Sequence, residues 1–258
     1  MISASRLAPT AVALLAVLST PIVAQERPIA FMACPIVRDT SKVPCWLSEY
    51  RGETYYLGIQ SDVSSPFNPP SLGHMALVEG VPQAGERICG GIVLEPVKVS
   101  VMPEMSPECD EVLMAEPRYE LPFEPPRPPG PSGGRLAFAP PEPPPPPEPP
   151  YVARTFELYF PFEGTVDFKT PGALQEVWDY AAAIGATRIR IEGHRAAVQL
   201  SDGTIIEERA GIGRSRAAEV ARMFTGLVDS VETVEFSYSE KAELGDWRLR
   251  KVLIEISP

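Results

Sequence analysis

The chain has little of what most enzymes need. Only two histidines occur in 258 residues, His74 and His194, and they lie far apart in the sequence. There is no G-x-S-x-G elbow, no phosphate-cradling glycine loop and no H-E-x-x-H pair. A C-x-x-C pair is missing too, which argues against structural zinc, whose thiolate ligands usually come so spaced. A glycosidase needs two carboxylates in concert, and nothing in this acidic sequence singles out a pair. The expectation is a non-catalytic protein with no metal and no cofactor. Positive charge is also short: 23 Lys and Arg stand against 34 Asp and Glu, a net charge of −11. That excludes a phosphate-neutralising surface, so no nucleic acid is expected as a partner.

Long hydrophobic runs are absent. The best, Leu7 to Leu18, is broken by Pro9 and Thr10 and falls short of the roughly 20 residues of a membrane span. With Arg6 ahead of it and Pro21 to Ala24 behind, it reads as a signal peptide over residues 1–24, cleaved before Gln25. The mature chain is then left without a transmembrane segment. Ala33-Cys34 has the form of a lipobox end, but Gln25, Glu26 and Arg27 interrupt the apolar run before it.

What is present fits export. Four cysteines, Cys34, Cys45, Cys89 and Cys109, crowd the first part of the chain. An even number after a signal peptide suggests two disulfides formed in an oxidising compartment. Three pairings are possible and spacing does not choose among them. Cys34–Cys109 with Cys45–Cys89 is the one that would tie both ends of one small domain together. Residues 25–120 read as that domain, all β. Trp46 to Tyr50 and Thr54 to Ile59 are rich in aromatic and β-branched residues and flank a turn at Arg51-Gly52. Further strand-like runs are Met75–Val78, Ile88–Leu94 and Val97–Val101. A disulfide-braced barrel or sandwich is expected.

Proline is abundant, at 31 residues, and fifteen of these fall within residues 121–150. Proline fixes φ and lacks an amide donor, so neither helix nor sheet is expected there. A polyproline II spacer is, reaching up to about 90 Å at about 3.1 Å per residue.

Residues 151–258 carry a second pattern. Thr155 to Phe162 alternates as a strand. Thr170-Pro171 has the form of a helix start, followed by Leu174, Val177, Trp178 and Ala181 on one face and Gly185 as a stop. Thr187 to Glu192 is a period-2 strand, isoleucines one way and charges the other. A second helix has Ala217, Val220, Ala221, Phe224 and Val228 on one face, and strands at Val231–Tyr238 and Leu249–Ile256 close the unit. The order β-α-β-α-β-β predicts an α+β fold with helices on one face of a mixed sheet.

Within that order lie Phe160-Pro161-Phe162, Ile189-Arg190-Ile191-Glu192-Gly193-His194, Arg216-Ala217-Ala218-Glu219-Val220, Ser237-Tyr238-Ser239-Glu240 and Arg250-Lys251-Val252-Leu253-Ile254. Together they resemble the OmpA-like family, the C-terminal peptidoglycan-associating domain of outer-membrane protein A. The resemblance covers about 100 residues. It implies a periplasmic protein associated with the cell wall or outer membrane, with peptidoglycan as partner through the diaminopimelate of its stem peptides. The alternative partner is another envelope protein. In the family an aspartate two residues after the histidine holds the ligand's ammonium, and the arginine of Arg-Ala-x-x-Val holds its carboxylate. Arg216 stands at the arginine position, but Ala196 stands where the aspartate belongs. Arg209 falls on the family's loop asparagine.

The loop between His194 and Arg216 is also longer than the family's, and alternation around Asp202-Gly203, from Val198 to Ile206, predicts an inserted hairpin. Arg216, Asp202, Arg209 and His194 are therefore the candidate ligand-binding residues. Asp202, Glu207 or Glu208 could replace the missing carboxylate; otherwise the domain is a scaffold that has lost wall binding.

Overall fold

The computed structural model describes residues 27–59, 71–124, 148–165, 171–224 and 231–258. The expected signal peptide, most of the proline-rich segment, Thr170 and Val228 lie outside the described residues. No helix among the described residues is long and apolar enough to cross a membrane.

Among its described residues, the first unit is all β apart from one 3-10 turn at Pro117–Tyr119. Strands β1 (Ile29–Ala33), β5 (His74–Gly80) and β7 (Lys98–Met105) form one antiparallel sheet in the order β1-β5-β7. A second sheet has the order β6 (Ile92–Val93), β4 (Glu53–Ile59), β3 (Cys45–Tyr50), β2 (Pro35–Arg38), β8 (Val112–Leu113). The hairpin of β3 and β4 turns where the sequence placed it. Arg51 and Gly52 take φ of 52° and 79°, the pair of positive values that a tight two-residue hairpin turn requires. Of the run Ile88–Leu94, only Ile92–Val93 forms a strand. Ile88 folds back on Gly91 in a lone bridge, so Cys89 and Gly90 make a turn there.

Phe31, Ala33 and Val78 from the first sheet meet Trp46, Tyr55 and Leu57 from the second in a buried core, so the unit is a sandwich. The disulfides are Cys34–Cys109 and Cys45–Cys89. They tie the β1–β2 corner to the segment after β7, and the start of β3 to the turn before β6. With its sulfur bonded to Cys109, Cys34 does not carry a lipid, which removes the lipobox reading.

The second unit is α+β. Strand β10 (Arg188–Gln199) is its axis. Strand β12 (Thr233–Leu244) lies parallel along one edge, and β13 (Lys251–Ser257) runs antiparallel along the other as far as Gly193. Beyond that point β11 (Ile205–Glu207) takes over the same edge, and β9 (Arg154–Tyr159) pairs with the far side of β13. Helices α1 (Pro171–Ile184) and α2 (Ile212–Phe224) cover one face, packing Val177, Ala181, Ala217, Val220 and Phe224 on Ile189, Ile191, Ile254 and Ile256. Gly185, at φ 62°, ends α1 with paired backbone bonds from Gly185 to Ala182 and from Ala186 to Ala181. Strand β10 runs seven residues past Glu192, because the chain returns after Gln199 as a hairpin whose second arm, β11, keeps it paired.

The two units are not held apart by a spacer. Alternation sends Phe31 and Val78 into the sandwich and leaves Ala30, Met32, Leu77 and Met102 on the opposite face of the first sheet. That face packs on Phe162, Val198, Leu200 and Ile206 of the second unit. Glu79 and Ser100 share the face. Glu79 accepts from both terminal nitrogens of Arg250, at 3.2 Å from Nη1, and Ser100 Oγ accepts from the Phe162 N–H at 2.8 Å. Ala30 exchanges two bonds with Ser201 at the hairpin turn. A spacer of the expected reach would let the units stand apart, yet they pack together, since a face with this much apolar surface is better covered than wet.

Candidate functional site

Arg216 sits one turn into α2, which is pressed against β10 at a point where neither chain has a side chain. A Cβ on Gly193 would lie 2.0 Å from the Gly213 carbonyl oxygen. Only glycine fits, and this contact brings the first turn of α2 under the end of the Ile189–His194 run. Replacing Gly193 with alanine should force the helix off the sheet and cost about 1–3 kcal/mol, read as a lower midpoint in urea denaturation.

Arg216 is fully buried, and so is Glu208. The guanidinium has five N–H donors. Its Nε donates to the Gly164 carbonyl at 2.8 Å. Nη1 donates to the His194 carbonyl at 3.0 Å and to Glu208 Oε2 at 2.9 Å. Nη2 donates to the Pro161 carbonyl at 3.0 Å and to Glu208 Oε1. All five are taken, three by backbone and two by one carboxylate, and the Phe160 ring lies 5.1 Å from the guanidinium carbon. Glu208 in turn accepts from the Ala196 N–H at 2.9 Å and the Glu163 N–H at 3.0 Å. A bidentate pair with every lone donor and acceptor matched is the arrangement in which a buried ion pair is tolerable.

The loop that carries Glu208 is tied down on every side. Glu208 N–H donates to the Ala196 carbonyl at 3.0 Å, and Arg195 holds the Glu208 carbonyl and the Glu207 carboxylate. The Gly211 N–H reaches Glu240, whose own carbonyl accepts from Arg195.

The other candidate residues lie elsewhere. Asp202 is exposed at the hairpin turn, where the Thr204 N–H donates to it at 2.8 Å and holds its carboxyl below the ordinary range; it does not meet Arg216. Arg209 turns to Glu163, with Nη1 2.8 Å from that carboxylate. His194 contributes its carbonyl and not its ring. The ring's Nε2 is buried without a hydrogen-bond partner, 3.7 Å from the Glu192 carboxylate. Among the three acids considered as replacements, Glu207 pairs with Arg195, and Glu208 alone reaches Arg216. Sequence reading did not anticipate Glu163, or the carbonyls of Pro161 and Gly164 that fix the guanidinium. Backbone acceptors leave no signature in residue type.

A cavity of about 490 Å³ lies at the seam between the units, lined in part by Ile29, Val81, Leu244 and Trp247; Arg216 and Glu208 do not border it. No group of three or more His, Cys, Asp or Glu able to hold a metal occurs among the described residues. No protein-family model, no curated protein and no solved structure matches the chain.

Proposed function

We propose that the chain is an exported, non-catalytic protein of the bacterial envelope, that its second unit is OmpA-like, and that its wall-binding pocket is closed from within. On this reading the protein works in the periplasm as a scaffold for another envelope protein, and the peptidoglycan stem peptide is not its ligand. The observation that carries this is the saturation of Arg216. A guanidinium whose five N–H groups are already matched, with no exposed surface, has none to offer a guest carboxylate. The position of the expected aspartate, Ala196, contributes only its backbone N–H and carbonyl, and both are spent on Glu208.

Support for the family comes from the ordered set of motifs, with a β-α-β-α-β-β order into which one hairpin is inserted. Two disulfides support an oxidising compartment. Co-sedimentation with purified sacculi tests the reading. Wild-type protein should stay in the supernatant at both low and high salt. Sedimentation that free diaminopimelate competes away would overturn it in favour of wall binding.

A further inference from the structure

The surroundings of the Glu208 carboxylate form a receptor whose donors all come from other segments of the chain. One backbone donor, the Ala196 N–H, belongs to β10. The other, the Glu163 N–H, belongs to the corner that follows β9. The guanidinium is held in place by three carbonyls from two separate segments. Four donors thus converge on one carboxylate from three different parts of the fold. We infer that this is a carboxylate-binding site occupied in cis, with Glu208 as its tethered ligand. With that side chain removed, the same donors take up a small free monocarboxylate. The inference deepens the closed-pocket reading above and rests on it.

The tether keeps free carboxylates out of the site in the intact protein. An attached ligand acts at an effective concentration that free carboxylates do not approach, and the loop ties described above hold it in register. Propionate reproduces the glutamate side chain from its β-carbon to its carboxylate, so it fits the space that Glu208→Gly leaves. Binding to the folded state alone raises the melting temperature with ligand concentration.

The full chain carrying Glu208→Gly is compared in sodium propionate and in sodium chloride of equal ionic strength. The expected result is a melting temperature roughly 5–10 °C higher in propionate, at about 100-fold above its dissociation constant. Wild type, the Glu208→Gly/Arg216→Met double variant and Glu208→Gln, whose amide fills the space, should not distinguish the two salts. If Glu208→Gly does not fold unaided, refolding yield in propionate against chloride is the readout, and a higher yield supports the inference. Equal behaviour in the two salts, failure to fold in both, or a matching response from Glu208→Gln would overturn it. Sacculus binding by the wild type would instead overturn the proposed function and leave this result standing.

Discussion

Replacing Arg216 with alanine should remove a large share of the stability of the second unit, and replacing Glu208 with alanine should do nearly the same. Each change strands the other charge inside the protein, a loss of about 3–5 kcal/mol against the 5–15 kcal/mol typical of a whole domain. The two losses should not add, because the residues share one set of bonds. Arg216→Met with Glu208→Leu should recover much of the loss, since apolar side chains of similar size can replace a buried ion pair at little cost. Urea denaturation of the four proteins checks this. An Arg216→Ala variant as stable as wild type would mean that the arginine is not held as described and is free to serve a guest.

The second large effect concerns the seam. Arg250 and Glu79 are both buried there, 171 residues apart in sequence, and Arg250 also donates to the Phe160 carbonyl. Changing Glu79 to arginine places two cations in an apolar seam, and the units should part. The reversed variant Arg250→Glu should do likewise, and the double exchange should restore docking. Small-angle scattering reads this directly, through a maximum dimension that grows in each single variant and returns in the double. Unchanged dimensions in Glu79→Arg would show that the apolar contacts of Leu77, Phe162, Val198 and Leu200 hold the units without the pair.

The corner Phe160-Pro161-Phe162 connects the two effects. Phe160 packs in the core of the second unit and Phe162 in the seam, and the buried arginines lie on either side of the corner. The Pro161 carbonyl serves Arg216 and the Phe160 carbonyl serves Arg250. Loss of either ion pair is therefore expected to loosen the same three residues.

Much of the second unit was legible in its sequence because period and punctuation agree there. The alternation of Ile189 and Ile191 with Arg188 and Arg190, the Pro171 and Gly185 bounds of the first helix, and the apolar face of the second each reflect local physics. In the first unit the hairpin at Arg51-Gly52 was legible for the same reason, whereas the spacing of the cysteines left three pairings open and the structure selects the one that ties both ends of the domain together. Strands β1 and β2 were not. Ile29–Ala33 lies between two packed layers, so apolar residues fall on both faces and the period-2 signal is lost. The packing of one unit on the other was equally hidden, since Glu79 and Arg250 carry no mark of each other in sequence.

The site was half legible. The alanine at position 196 and the hairpin around Asp202-Gly203 are readable in the sequence, and the hairpin's register is what brings them together. Pairing Leu200 with Thr204 across Asp202-Gly203 sets Val198 against Ile206 and, two steps on, Ala196 against Glu208. The acid that fills the pocket thus lies directly opposite Ala196, the position where the OmpA-like resemblance leads one to expect an acid. Asp202 is a carboxylate in the same loop, but at the tip of a turn its side chain satisfies the turn.

Titration calorimetry of the wild-type protein with a soluble, diaminopimelate-containing stem peptide at low ionic strength puts the closed pocket to its plainest trial. The expected result is no heat of binding up to millimolar peptide, with wild type and Arg216→Met/Glu208→Leu behaving alike. A saturable heat in the wild type that disappears in that double variant would mean that Arg216 opens to a guest, and the account of a pocket sealed by Glu208 would be wrong.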